Sequence, residues 1–119
     1  MRVTGAISPG SRCLLYMVYT EYSRFDWDAE KAGSNLAKHG IPFDRAITVF
    51  DDPFALVAPD ERHSTPGEQR QWIIGESDVG VLVVVFTLRE QKRVRRIISA
   101  RRAGRRERLQ YEERRRLPV

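Results

Sequence analysis

One cysteine, two histidines and two methionines are all that this chain of 119 residues contains of those types, and it has no apolar run of membrane-spanning length. A lone Cys13 cannot close an internal disulfide and has no metal-ligand spacing around it, so the sequence points to an inert thiol in a reducing cytoplasm. His39 and His63 lack the partners that a zinc site needs, and Asp51-Asp52 and Asp60-Glu61 lack the spacing of a calcium loop. No metal or other cofactor is expected. The longest apolar stretch, residues 79–88, is interrupted by Gly80 and reaches about half the length of a spanning helix, so no membrane role is expected. Internal repeats are missing too, which excludes a solenoid or propeller.

What the chain does have is arginine, and it is unevenly placed. Residues 89–116 carry thirteen basic side chains against four acidic ones, a net of +9, whereas residues 1–88 carry a net of −4; the whole is +5. Such a separation produces a directional field that draws a polyanion to one end of the molecule. The length fits one domain with a real core and not two. We place that domain at residues 25–116. Residues 1–24 read as an N-terminal extension, either disordered or loosely docked, or as an over-long start with initiation at Met17. The apolar run at residues 13–19 lacks the small-residue cleavage site of a signal peptide.

Phe25-Asp26-Trp27 reads as the end of a short strand, and Asp28 is placed to cap a helix that stops at Gly40. Pro42 breaks the chain, and Asp44 offers a cap for a shorter helix whose apolar stripe is Ala46, Ile47, Val49 and Phe50. Strands are expected over residues 54–58, 70–75, 81–88 and 93–99, joined after the polar loop 59–67 by separators short enough for hairpins. The unbroken Val83-Val84-Val85-Phe86 belongs at the sheet's centre. Residues 104–116 form a last helix whose only sizeable apolar groups are Leu109 and Tyr111. The expected fold is α+β, a small antiparallel sheet with two N-terminal helices and one C-terminal helix, the helices covering one face.

Over residues 25 to about 113 the chain resembles the BrnT ribonuclease toxins of bacterial type II toxin-antitoxin systems. The likeness rests on Phe25-Asp26-Trp27-Asp28, Lys31, Asn35-Leu36-Ala37-Lys38-His39-Gly40, Phe43, Ala46, Val49-Phe50-Asp51-Asp52-Pro53, Glu61-Arg62-His63, Gly67-Glu68, Arg70, Ile74-Gly75, and Arg96-Ile97-Ile98-Ser99-Ala100-Arg101 through Glu107 and Tyr111. No one piece is specific, but their order and spacing across most of the chain are. The resemblance implies a RelE-like fold, metal-independent endoribonuclease activity that stops translation, and neutralisation by a DNA-binding antitoxin of the BrnA kind, through which alone operator DNA would be reached. Gly104, where a Ser or Thr cap is expected, and Gln71, where an aromatic is common, depart from the pattern.

RNA is cut without metal when the neighbouring 2′-hydroxyl attacks phosphorus, which needs a base, an acid, and cations for the growing charge. Arginine suits the last task, since its planar fork donates two hydrogen bonds to one phosphate. Arg70 and Arg101 are the first candidates, then Arg62 and Arg105. His63 lies in a polar loop beside Arg62, a setting that suits either a base or an ordinary exposed side chain. Glu107 and Tyr111, four apart on the last helix, share a face that can turn toward Arg101 or toward the core. The catalytic set is Arg70, Arg101, Glu107, His63 and Arg62; the RNA-binding set is Arg105, Arg106, Lys31, Lys38 and Tyr111. Arg102, Arg108, Arg114, Arg115 and Arg116 are read as solvated or as phosphate-backbone contacts, His39 as a helix terminus with room for a catalytic or antitoxin-contacting role, Glu68 as a solvated charge more than as a second base, and Trp27 and Trp72 as core more than as stacking platforms. The competing function is a non-catalytic nucleic-acid-binding or antitoxin-binding module that acts as a co-repressor.

Overall fold

In the computed structural model, which describes residues 24–89, 91 and 93–117, the elements run β1 (Arg24–Trp27), α1 (Ala29–His39), α2 (Phe43–Ala46) continued by a 3₁₀ segment (Ile47–Asp51), β2 (Leu56–Pro59), β3 (Arg70–Ser77), β4 (Gly80–Arg89), β5 (Val94–Arg102) and α3 (Arg105–Arg116). The readings made of Cys13 and of the N-terminal extension up to residue 23 lie outside the described residues.

Asp28 caps α1 as its sequence position requires, accepting from the Glu30 N–H at 3.4 Å, and Gly40 closes the helix in the left-handed region at φ 73, its N–H donating to the Leu36 carbonyl. The second helix starts two residues earlier than expected, at Phe43 with Pro42 as its cap and Asp44 in its first turn. Its tightening to 3₁₀ geometry coincides with Thr48, whose hydroxyl donates to the Arg45 carbonyl, and with the fully buried Val49.

The five strands form one sheet in the order β1-β5-β4-β3-β2. From β2 to β5 it is the expected antiparallel meander, and β3 turns into β4 through Asp78 and Val79, with Ser77 paired to Gly80. The expectation of a wholly antiparallel sheet is corrected at one edge: β1 pairs parallel to β5, with Asp26 opposite Arg96 and 3.3 Å between their charged atoms. A parallel neighbour needs a crossover, and α1, α2 and the meander together supply one.

Strand alternation sorts the apolar residues onto two faces. On one, Ile73, Leu82, Val84, Phe86, Ile97 and Ala100 pack with Ile41, Phe43, Ala46 and Val49 from the N-terminal helices. Asn35 pins α1 to that face, donating to the Ala100 carbonyl at 2.8 Å and accepting its N–H at 3.1 Å. On the other, Ile74 and Val83 pack with Ala103 and Tyr111. Helices therefore lie on both faces, not on one, because α3 folds back over the side that the N-terminal helices leave open. It covers only part of it.

Candidate active site

The uncovered part of the α3 face holds the candidate site. A cleft of about 470 Å³ opens there, floored by apolar side chains of β3, β4 and β5 and rimmed by Arg62, His63, Arg70, Arg101 and Glu107. All five residues of the expected catalytic set thus border one concavity, although they come from a loop, two strands and a helix.

A register shift in β5 helps to aim them. Val85 pairs with Ser99 but Phe86 pairs with Ile97, so Ile98 is an extra residue, and both Ile98 and Ser99 line the cleft. Without the bulge, Arg101 would share the face of Ile97; with it, Ala100 goes into the core and Arg101 into the cleft.

Arg101 and Glu107 form a two-pronged pair, Nη1 to Oε1 and Nη2 to Oε2, each 2.8 Å. Glu107 Oε1 also accepts the Gly104 N–H at 2.7 Å. Glycine has no side-chain acceptor to return the bond, so only this half of a capping box forms at the start of α3. The hydrogen bond from Arg101 holds the Glu107 carboxyl below its usual range, against burial and with help from the Gly104 N–H, and the same pairing raises Arg101. Glu107 is an ionised carboxylate at neutral pH.

Arg70 donates through Nε to Glu68 Oε1 at 2.9 Å, and Glu68 takes Arg89 Nη2 on its other oxygen at 3.0 Å. Glu68 is therefore a bridge between two strands, where the sequence read a solvated charge, and its carboxyl is held low chiefly by the Arg70 hydrogen bond. The geometry fixes the root of the Arg70 guanidinium and, among the described residues, leaves its two terminal nitrogens for an anion. His63 puts Nδ1 3.0 Å from Asp60 Oδ2, and Asp60 itself borders the cleft. The carboxylate makes Nδ1 the protonated nitrogen and leaves Nε2 to act.

The expected RNA-binding set divides. Arg105 and Arg106 are exposed on the first turn of α3, beside the cleft without lining it. Lys31 and Lys38 are exposed on α1, across the sheet from the cleft, so the structure does not bring them to it. Tyr111 is corrected outright: it is 1% exposed and its hydroxyl donates to the Asp52 carboxylate, an anchor with no surface for RNA. Burial, then the Asp52 hydrogen bond, raises the phenol well above its ordinary range. Burial pushes Asp52 upward, but the N–H groups of Glu76 and Phe54 and the Tyr111 hydroxyl outweigh it and hold the carboxyl low. Among the arginines read as solvated, Arg102 donates to the Val79 carbonyl, Arg108 to the Ala103 carbonyl, and Arg115 pairs with Glu76 and lies over Phe54 and Tyr111. These are structural ties. Trp27 meets Phe43 edge-on at 5.8 Å, as a core side chain does.

Sequence reasoning missed Asp60 and Asp52. Asp60 stands three residues before His63, a spacing that a turn makes into contact, and this was a usable local signal. Asp52 meets Tyr111 across 59 residues of chain, and nothing local announces that.

With these positions in view, comparison with known families is decisive. A family model described as the ribonuclease toxin BrnT of type II toxin-antitoxin systems matches residues 27–107, which run from the end of β1 to Glu107. The chain belongs to the BrnT family. No curated protein matches it. Membership of a type II system implies an antitoxin partner for this BrnT chain, and it supports ribonuclease activity. No helix among the described residues is long and apolar enough to cross a membrane.

Proposed function

We propose that this BrnT-family chain is a cytoplasmic, metal-independent endoribonuclease that inhibits translation, and that the cleft between β3, β5 and α3 is its cleavage centre. The observation that carries the reading is the convergence of Arg62, His63, Arg70, Arg101 and Glu107 on one cavity. The terminal nitrogens of Arg70 and the guanidinium of Arg101 bind the scissile phosphate and neutralise the charge that grows on its oxygens. Phosphate drawn to Arg101 competes with Glu107 for its donors, and the carboxylate so released accepts the 2′-hydroxyl proton. The 2′-oxygen bonds to phosphorus as the bond to the 5′-oxygen breaks, and the departing oxygen takes its proton from Nε2 of a doubly protonated His63, which keeps its Nδ1–H on Asp60 and is left as neutral imidazole. The products are a 2′,3′-cyclic phosphate and a free 5′-hydroxyl. Arg62 supplies further positive charge at the rim.

Purified protein incubated with RNA in a chelating buffer should cleave it. Absence of cleavage, or cleavage unchanged by Arg70→Ala combined with Arg101→Ala, would remove the proposal. A non-catalytic co-repressor would instead show salt-sensitive nucleic-acid binding without strand breakage. We further propose that a BrnA-like DNA-binding antitoxin neutralises the toxin and brings the complex to operator DNA; induction should arrest growth, and co-expression of that antitoxin should relieve the arrest.

A further inference from the structure

The cleft does not end at the phosphate-facing arginines. Trp72 and Gln110 belong to its wall and also to the wall of a second hollow of about 550 Å³, which lies between β2 and the outer turns of α3. The two concavities therefore adjoin across this pair. Sheet register explains why the indole is available: Trp72 is opposite Ala58 on β2, and a methyl group is too small to cover its flank. Ala58 lines the second hollow with Leu56, while Glu113 and Arg114 stand on its helical side. Trp72 is only partly buried, and its ring N–H has no hydrogen-bond partner among the described residues, nor has the side-chain amide of Gln110. Trp72 packs one side against the cluster of Ile74, Val83 and Tyr111, as a core side chain does, and its open side, next to the exposed Gln110 amide, is suited to hold a flat heterocycle.

We propose that Trp72 and Gln110 form a nucleobase subsite, in which the base next to the scissile phosphate stacks on the indole and presents its edge to the Gln110 amide. The inference rests on the cleavage centre proposed above and adds to it a choice of sequence. An aromatic face accepts every base, so stacking gives affinity, while the amide, with one acceptor and two donors, gives the preference.

The test uses non-cleavable 2′-O-methyl hexanucleotides, intact or with one abasic position moved along the strand, and fluorescence anisotropy on the whole chain. In the wild type, removal of one particular base should weaken binding by at least about 5-fold. Trp72→Leu, which keeps apolar bulk, and Trp72→Ala should bind the intact strand as weakly as the wild type binds the abasic one, and should lose nothing more when that base is removed. Gln110→Ala should retain the stacking effect and narrow the spread of Kd among strands of the four bases. Equal loss on base removal in wild type and Trp72→Leu, or no loss in either, overturns the subsite. Cleavage of ordinary RNA, assayed alongside, separates the two proposals. If it persists while the Trp72 effect is additive, the subsite alone fails; if it is absent while the effect is non-additive, the nuclease reading fails and a base-binding site remains.

Discussion

Glu107 holds Arg101 in a fixed plane, and its ionisation ties the cleft to acid stability. Its folded carboxyl lies below the ordinary 4.5, so its contribution to stability is fully present above that value and is lost as pH falls through the folded one. Denaturant midpoints followed from about pH 5 to about pH 3 should fall for the wild type and fall less steeply for Glu107→Gln. A residual slope is expected because Asp52 and Glu68 are also held low. An unchanged slope in the variant would mean that the Arg101 pair does not persist in solution. At this scale much of the candidate site was legible: an arginine that ends a strand and a glutamate six residues later have few ways to avoid each other. The role of Tyr111 was not, because a phenol on an arginine-rich helix has the same local sequence whether it faces RNA or a buried aspartate.

The C-terminal helix presents Glu107 and is held to the sheet by little apolar area, so its position depends on the Tyr111 and Asp52 anchor. Tyr111→Phe removes one hydrogen bond to a charged group and should cost about 1.5–3 kcal/mol in chemical denaturation. In alkaline titration the Tyr111 phenol should ionise later than an ordinary tyrosine, together with loss of structure, since a raised folded pKa stabilises below the unfolded value and ceases to do so as pH rises through the folded one. The late step should vanish in the variant. Gly75 is a second constraint on the elements: a Cβ there would stand 3.1 Å from the Ala55 Cβ and 3.2 Å from the Val49 carbonyl oxygen, where β3 passes the 3₁₀ segment. Gly75→Ala should therefore destabilise by about 1–3 kcal/mol, read from the shift in thermal midpoint. Element types were readable from capping residues and alternation, and β2 to β5 emerged in the right order. The parallel edge and the β5 bulge were not, since strand direction and a one-residue insertion are settled by partners that local periodicity does not reveal.

Charge separation belongs to the whole molecule. Arg62, Arg70 and Arg101 line the cleft and the arginine-rich α3 borders it, so single-stranded RNA should be drawn to this face at a rate that falls with salt. If Arg62, Arg70, Arg101, Arg105 and Arg106 each meet a phosphate, log K should fall with log salt at a slope of about −3.5, and Arg105→Gln with Arg106→Gln should reduce its magnitude by about 1.4. A slope unaffected by that pair would move the RNA path away from α3.

The parallel edge has a temporal meaning. Arg24 and Val94 are aligned neighbours although seventy residues separate them, so the first described strand waits through synthesis of the whole meander for its partner. That partner also carries Arg101. The stretch of β5 paired with β1 ends at Ile97, four residues short of Arg101, so hydrogen exchange at the β1 amides would report when the parallel edge closes, separately from the β4 pairing that carries the arginine.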